Sequence, residues 1–353
     1  MRTRALLLFA TLLAACEHGA PFRPGEYGST EPHEPGVLAR LTLNPGEDRT
    51  PAWLPRGLGL IYSAERRDRA DRDHCLARMP PNGGTVIGYA CATTAADDSL
   101  NVFESPAPGP GDQLAYVRVS SSRVPFLPLG PDRQAIVVAP LADPNAVRVL
   151  HALPYPAPWG SIYEAVSHLA WLDSTRLVYV GEQVRYVRDP GCPGCPTDTV
   201  RTGLEVVVLD FAGATAVTTL VPGTDSATSV APGATGDTLY FTIAGDARVH
   251  RHIVSSGQSD VAHDFGARAV RDVAVAAGRL FAIVGGQGDA GGDLYVVDLA
   301  TGAEAPAPPP PGVDFLLHLR PAPSPDGQRV LTQARAFVDF TLSSDDIWRY
   351  EVP

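Results

Sequence analysis

The residues with the most recognisable chemistry are two cysteines, Cys192 and Cys195, which stand three positions apart in the segment GCPGCP. A CxxC pair can be a redox couple, half of a zinc site or a structural disulfide. Structural zinc needs four ligands at one point, and thiol exchange normally uses a CxxC that opens a helix. Because neither context is present here, the sequence favours a disulfide and leaves thiol exchange and metal binding as alternatives.

A second pair of cysteines, Cys75 and Cys91, flanks the turn PPNGG. Antiparallel partners about Gly83 have residue numbers that sum to about 166, as 75 and 91 do. Directly opposed side chains on antiparallel strands are close enough for a disulfide. The sequence therefore predicts a Cys75–Cys91 bridge, with two unpaired buried thiols as the alternative.

Other catalytic and ligand-binding signatures are weak. The chain holds neither GxSxG nor HExxH, and its histidines are scattered. The segment GGQGDAGGD at 285–293 contains GxGxxG, but a strand pattern follows it, whereas a nucleotide site needs a helix there. No lysine occurs, which excludes a lysine Schiff base and a GK[ST] phosphate loop. The sequence predicts no catalytic residue and no metal ligand set.

The N-terminus has the pattern of a secretory signal, with Arg2 and Arg4 followed by an apolar run at 5–15. This run is too short to span a bilayer as a helix. Residues 13–16, LAAC, resemble the lipobox of bacterial lipoproteins, and that resemblance implies lipidation of Cys16. An ordinary signal peptide that happens to contain a cysteine is the alternative. The residue after Cys16 is Glu17 and not aspartate, and resemblance to known sorting rules then implies the outer membrane of a Gram-negative envelope.

These features predict three regions: a lipoprotein signal peptide at 1–15, a flexible tether at 16–35 that starts from the lipidated Cys16, and a folded domain at 36–353. The tether is rich in proline and glycine. Removing Arg2 and Arg4 changes the formal charge from −11 to −13. Because the mature chain is acidic, we expect no nucleic-acid partner, and we expect the lipid to be its only membrane contact.

The folded region consists of short apolar runs separated by Gly, Pro, Asp and Ser, which is typical of β-strands. An apolar or aromatic triplet after a turn recurs six times along it. The triplets begin at Leu60, Leu114, Leu177, Leu239, Leu280 and Val330. A recurrence of 41 to 63 residues suits a four-stranded unit with variable loops.

Three of these units share longer motifs: PAWLPRGLGLIY at 51–62, LAWLDSTRLVY at 169–179 and APSPDGQRVLT at 322–332. They resemble the repeats of TolB-like propellers, the PD40 type. The resemblance implies an all-β fold, a six-bladed β-propeller of four-stranded antiparallel blades. The run at 37–43 is a strand that precedes the first unit, while the last unit lacks a fourth strand. We therefore expect the N-terminal strand to close the ring.

The CPGC segment lies at the tip of a predicted hairpin, because QVRYVRD and TDTVRTG flank it. Residue numbers summing to 387 pair Val187 with Val200 and Tyr186 with Arg201. Three arginines line the hairpin of an otherwise acidic chain: Arg185, Arg188 and Arg201. The hairpin, with these arginines, is the predicted partner-contacting element.

Propellers usually act through a loop-lined face or a central channel. The sequence favours a monomeric, non-catalytic binding or scaffold module for a protein, peptide or glycan of the bacterial envelope, in the periplasm or at the surface. One alternative is an extracytoplasmic propeller enzyme, such as a hydrolase, lactonase or lyase that uses calcium. The other is a thiol-exchange protein that works through Cys192 and Cys195. No cofactor besides the lipid is predicted.

Overall fold

The computed structural model is built from β-strands and one 3-10 turn at Pro55–Gly57. It describes residues 35–42, 46–65, 73–91, 99–122, 133–153, 162–188, 196–285, 291–310, 313, 315–338 and 341–353. The predicted signal peptide, the lipidated Cys16 and almost all of the tether lie outside these residues. In the described part of the chain, no helix is long and apolar enough to cross a membrane.

Three sheets are four-stranded antiparallel blades in which the strand order follows the chain. The first contains β10 (Ile162–Trp171), β11 (Arg176–Arg188), β12 (Pro196–Asp210) and β13 (Val217–Leu220). The second contains β14 (Ala227–Pro232), β15 (Thr238–Ile243), β16 (Arg248–Ile253) and β17 (Gln258–Asp264). The third contains β18 (Val270–Ala276), β19 (Arg279–Val284), β20 (Asp293–Asp298) and β21 (Glu304–Pro306).

A fourth sheet combines strands from both ends of the chain. Its order is β1 (Leu38–Arg40), β25 (Asp346–Glu351), β23 (Arg329–Val338) and β22 (Phe315–Pro323), with β24 (Thr341–Leu342) added beside β23. β1 pairs with β25 in antiparallel register, Leu38 opposite Tyr350 and Arg40 opposite Trp348. The guanidinium of Arg40 also contacts the buried Asp346 at 2.6 Å. The predicted N-terminal strand is therefore the outer strand of the last blade.

The fifth sheet has eight strands. They are β2 (Asp48–Trp53), β3 (Leu60–Glu65), β4 (His74–Met79), β5 (Ile87–Ala90), β6 (Ser99–Gly109), β7 (Gln113–Ser122), β8 (Arg133–Pro140) and β9 (Arg148–Leu153). β2 to β5 pair in antiparallel order, and so do β6 to β9. A single parallel pairing, His74 with Val102, joins β4 to β6.

The structure confirms an all-β propeller of four-stranded antiparallel blades, but it does not confirm six separate ones. Four sheets are single blades, and the fifth is continuous over eight strands. The reason is local, because β6 runs alongside the start of β4, beyond the point where β5 pairs with that strand. All six apolar triplets lie at or next to the start of β3, β7, β11, β15, β19 and β23.

The hydrophobic core is divided into six clusters that lie between neighbouring four-stranded units, which we call the blade interfaces. Five join units that follow one another in the chain. The sixth packs Leu331 and Ile347 of the last sheet against Trp53, Leu60 and Tyr62 of the first. Alternate residues of each middle strand enter opposite clusters because side chains alternate along a strand.

The predicted disulfide between Cys75 and Cys91 is present, with the two Cα atoms 4.7 Å apart. Leu76 pairs with Ala90, in the register that the sum of 166 requires. The bridge ties β4 to the end of β5, at the edge of the sheet. Cys192 and Cys195 lie outside the described residues.

The predicted hairpin is the long antiparallel pair β11 and β12, but its register differs from the prediction by two residues. Arg185 pairs with Val200, and Val184 pairs with Arg201. Before Val184 the paired residue numbers sum to 386, one less than predicted, and a register shift between Gln183 and Val184 lowers the sum to 385. A constant sum cannot represent such a shift. β10 also follows this ribbon, since Ile162 pairs with Arg185.

Candidate functional site

Six strands, one from each four-stranded unit, line a central cavity of 370 Å³. They are β2, β6, β10, β14, β18 and β22, and we call them the inner strands. Each carries a register shift of one extra residue against its neighbour. Such a bulge bends a strand and redirects a side chain. The same bulge in all six strands therefore aims a set of side chains at one cavity.

A short sequence pattern accompanies each bulge, with an alanine in its third position. The six segments are TPAW (50–53), SPAP (105–108), HLAW (168–171), SVAP (229–232), DVAV (272–275) and RPAP (320–323). Most of their residues line the cavity. The small alanines keep the inner strands close together, while the first position supplies a polar side chain in every unit.

Four of the six first-position residues have a left-handed backbone. Their φ angles are 47° at Thr50, 50° at Ser105, 55° at His168 and 52° at Arg320. Residues other than glycine rarely adopt this conformation, which is energetically unfavourable and concentrates at functional sites. Its recurrence at equivalent positions marks the ring of these side chains as the candidate site.

Tryptophans form the apolar end of the cavity, where the inner strands end. The indole Nε1 of Trp171 donates to the carbonyl of Ala107 at 2.7 Å. The equivalent Nε1 of Trp53 donates to the carbonyl of Ala322 at 2.9 Å. Each ring thus spans from its own inner strand to that of a neighbouring unit. Gly109 is required beside Trp171, because an added Cβ would lie 2.3 Å from the indole.

At mid-depth lie Thr50, Ser105, His168, Asp272 and Arg320, which we call the polar ring. The Nε2 atom of His168 lies 3.0 Å from Oδ1 of Asp272, on inner strands 104 residues apart. The second carboxylate oxygen of Asp272 accepts the backbone N–H of Arg320 at 2.9 Å. The hydroxyl of Thr50 accepts the backbone N–H of Ser105 at 3.1 Å.

The pair of His168 and Asp272 has a defined charge state. Burial lowers the pKa of His168, and the charge of Arg320 lowers it further against the opposing effect of Asp272. Burial would raise the pKa of Asp272, but His168 and Arg320 hold it below its usual value. The pair is thus a neutral imidazole that donates from Nε2 to an ionised carboxylate. Nδ1 is then the acceptor for the hydroxyl of Ser167, which lies 3.1 Å away.

The guanidinium of Arg320 is the charged group of the polar ring that has no direct partner among the described residues. Within the described part of the chain, it makes no hydrogen bond and no ion pair, although it lines the cavity. The charge of Arg320 also acts on Glu104, the residue before Ser105. Burial raises the pKa of Glu104, and the charges of Arg320 and Arg49 oppose that rise. Among the described residues that line the cavity, Asp272 is the one carboxylate. The lining therefore does not provide the several convergent carboxylates that a calcium site needs.

Among the described residues, those that line this cavity include none that the sequence predicted. The Cys75–Cys91 bridge lies at a sheet edge. Arg185, Arg188 and Arg201 lie on the ribbon of β11 and β12, where the structure describes their backbone pairing alone. The sequence contained a usable signal that was missed, because the motifs at 51–62 and 169–179 both contain Ala-Trp. The residue two places before that alanine, Thr50 or His168, belongs to the polar ring.

No protein-family model matches the chain, and no curated protein matches it in sequence. Among solved structures, a gluconolactonase of Xanthomonas campestris is similar over 95% of this chain and 99% of its own, with a TM-score of 0.54 and 16% identity. An oligogalacturonate lyase, solved in complex with manganese, is similar over 95% and 99%, with a TM-score of 0.50 and 12% identity.

A putative TolB from Agrobacterium tumefaciens covers 88% of this chain and 92% of its own, with a TM-score of 0.48 and 14% identity. All of these identities are low, so the likeness to the gluconolactonase and to the lyase shows the fold alone. The architecture itself is an all-β propeller of four-stranded antiparallel blades.

Proposed function

We propose that this protein is a non-catalytic binding module that holds an anionic group of its ligand in the central cavity. The observation that carries the proposal is the guanidinium of Arg320, which lines the cavity without a partner among the described residues. A half-buried guanidinium that makes no direct ion pair has free N–H donors, and a carboxylate of a ligand would satisfy them with charge-assisted hydrogen bonds.

The rest of the cavity suits a ligand that is apolar or ring-shaped beyond that group. Trp53 and Trp171 line the end of the inner strands, together with prolines and alanines. Aromatic faces pack against apolar side chains and against the flat faces of other rings. The hydroxyl of Ser105 makes no hydrogen bond within the described chain and adds a polar group to the same cavity.

We also propose that the ring has six blades and closes through the N-terminal strand. The division of the eight-stranded sheet into two antiparallel sets supports this count, as does the bulge in each of six inner strands. The pairing of β1 with β25 and the cluster of Leu331 and Ile347 with Trp53 support closure.

The cellular location of the protein and its partner are proposed from the sequence. We propose a monomer anchored by lipid on Cys16 to the outer membrane and facing the periplasm or the surface. Its partner is an envelope protein, peptide or glycan that carries a carboxylate. The ribbon with Arg185, Arg188 and Arg201 remains the proposed outer contact, because β10, β11 and β12 support it along its length.

The test compares ligands that differ by one charge. The full chain is titrated calorimetrically with peptides that end in a free carboxylate and their amidated forms, and with acidic and neutral oligosaccharides. We expect carboxylated ligands to bind more tightly. Arg320→Gln should weaken that binding by at least roughly tenfold, since a hydrogen bond to a charged group contributes about 1.5–3 kcal/mol.

Arg251→Gln is the matched control, because Arg251 lies outside the cavity, on β16, and pairs with Asp260. It should bind like the unchanged chain. Equal binding of amidated ligands, or undiminished binding by Arg320→Gln, would contradict the proposal.

A second candidate function is enzymatic, and the pair of His168 and Asp272 favours it. A neutral imidazole oriented by a buried carboxylate is the arrangement of a general base. If the protein is a lactonase, hydrolase or lyase, turnover of lactones, esters or acidic oligosaccharides should disappear in His168→Gln. The thiol-exchange alternative rests on Cys192 and Cys195, outside the described residues, and a measured reduction potential would decide it.

A further inference from the structure

A second group of chemically active side chains lies outside the polar ring, at one end of the first four-stranded unit. Glu47 immediately precedes β2, Glu65 ends β3, and His74 begins β4. Glu65 and His74 are direct partners across β3 and β4. The backbone N–H of Glu65 donates to the carbonyl of Glu47 at 2.9 Å. Strand pairing therefore fixes the three residues beside one another.

The side chains of these residues converge as well. One ligand atom from each, a carboxylate oxygen of Glu47, a carboxylate oxygen of Glu65 and a ring nitrogen of His74, lie within 4.8 Å of one another. Two metal–ligand bonds of about 2.0–2.2 Å separate donor atoms by at most about 4.4 Å, so these atoms are close enough to bind one ion after a small closing of the side chains. The group is mixed in chemistry, with an imidazole added to two carboxylates.

His74 is the observation that points to a ligand. It is 7% exposed, and its side chain makes one hydrogen bond within the described chain, between Nδ1 and the hydroxyl oxygen of Ser63 at 3.5 Å. It makes no ion pair with a described carboxylate. A ring nitrogen of this buried side chain thus lies near two carboxylate oxygens without an ion pair to either, an arrangement that a shared cation would complete.

Ser63 provides the support that a metal-binding histidine usually has. Its hydroxyl donates to the carbonyl of Phe103 at 2.6 Å, so its oxygen is held in place and can accept from Nδ1 of His74. That contact would leave Nε2 of His74 as the nitrogen with a free lone pair. Arg49 contacts one carboxylate oxygen of Glu47, which leaves the other oxygen for an ion.

We propose that Glu47, Glu65 and His74 bind a divalent transition-metal ion, zinc or manganese. Imidazole and carboxylate ligands together suit these ions, whereas calcium prefers oxygen ligands alone. Three protein ligands leave at least one coordination position for water or for a ligand atom. Glu47 stands three residues before Thr50, so the site lies on the approach to the polar ring along β2. It is independent of the function proposed for the cavity.

The test measures metal content and affinity with the full chain. The protein is stripped with chelator, dialysed and titrated with zinc and with manganese, and the bound metal is measured after gel filtration. Because two thiols could also hold zinc, the titration uses a chain with Cys192→Ser and Cys195→Ser. We expect one ion per chain, and a rise in melting temperature on binding.

Glu47→Gln, Glu65→Gln and His74→Gln should each weaken metal binding by at least roughly tenfold, the range seen when groups around a metal are lost. His263→Gln and Glu304→Gln form the matched control. That exposed pair has the same residue types at 3.3 Å but contains one carboxylate. The control variants should bind metal like the parent chain.

Melting curves without metal establish that each variant folds. If His74→Gln does not fold, the metal affinity of Glu47→Gln decides the question, because Glu47 is partly exposed and its replacement should not prevent folding. The proposal is overturned if the parent retains no ion, if it retains calcium in preference to zinc and manganese, or if the double variant of Glu47 and Glu65 binds the ion unchanged.

Discussion

The polar ring and the blade interfaces are built on opposite principles, although both use the same strands. At the interface between β19 and the last sheet, Phe281 is fully buried among apolar side chains. In the cavity, by contrast, Thr50, Ser105 and Arg320 hold a left-handed backbone. The interfaces supply the apolar burial that stabilises the fold. This stabilisation offsets the free-energy cost of the polar ring, where the left-handed backbone and the desolvated charges are each unfavourable.

The comparison is broken most strongly by removing an interface side chain. Phe281→Ala deletes a ring that is 0% exposed, and it should lower the free energy of unfolding by about 3–5 kcal/mol. Denaturant melting measures this loss. Below the melting transition, ligand binding in the cavity should be unchanged. A loss under about 1 kcal/mol would mean that the interfaces do not dominate stability.

The second prediction separates a buried histidine of the scaffold from the histidine of the ring. His318 is 2% exposed, its Nδ1 lies 2.9 Å from the hydroxyl of Thr332, and burial lowers its pKa to about 3. Below the unfolded pKa of 6.5, the unfolded chain takes up a proton that the folded chain refuses. Stability contributed by neutral His318 is therefore present above pH 6.5 and is lost as the pH falls from there toward 3.

His318→Gln should reduce the pH slope of stability between pH 6.5 and 4 by up to about 1.4 kcal/mol per pH unit. Chemical unfolding at several pH values measures this slope. The variant of the ring, His168→Gln, should also reduce it, and should in addition change ligand affinity. An unchanged slope in His318→Gln would show that the pKa of this histidine is the same in the folded and the unfolded chain.

The smallest expected effect concerns the strained backbone itself. Ser105→Gly should raise the free energy of unfolding by up to about 1 kcal/mol, because glycine adopts a positive φ without penalty. Ser229 is the matched site on β14, since it also opens its inner-strand segment but lacks a positive φ. Ser229→Gly should lower stability, since glycine in a strand is unfavourable and the hydrogen bond from Thr242 is lost. Equal effects at both positions would remove the argument from strain.

Much of the fold could be predicted from local pattern. The apolar triplets marked the second strand of each unit, and the numbers of Cys75 and Cys91 gave their pairing, because a two-residue period and a tight turn are local properties. The register of the ribbon was wrong by two residues, and a bulge near Gln183, which leaves no mark in the alternation of side chains, accounts for one of them. The joining of two blades through His74 and Val102 depends on a single pairing that no pattern encodes.

The candidate site was beyond local pattern for a different reason. His168 and Asp272 meet across 104 residues, and nothing near either one indicates the other. What brings them together is that the inner strands line one cavity. The sequence pattern locates the residues two places before each alanine, but the contact between His168 and Asp272 depends on the three-dimensional arrangement of the inner strands.

The pairing of β1 with β25 also has a mechanical consequence. The strand is three residues long, and the N–H of Gly36 bonds to the carbonyl of Glu351 at 2.7 Å. Tension on the chain before Gly36 would load these hydrogen bonds one after another, from the chain end inward. The contact of Arg40 with Asp346 would open last. A pull from this end would peel away the outer edge of one sheet before it reached the inner strands, so the cavity would keep its shape while the first contacts yielded.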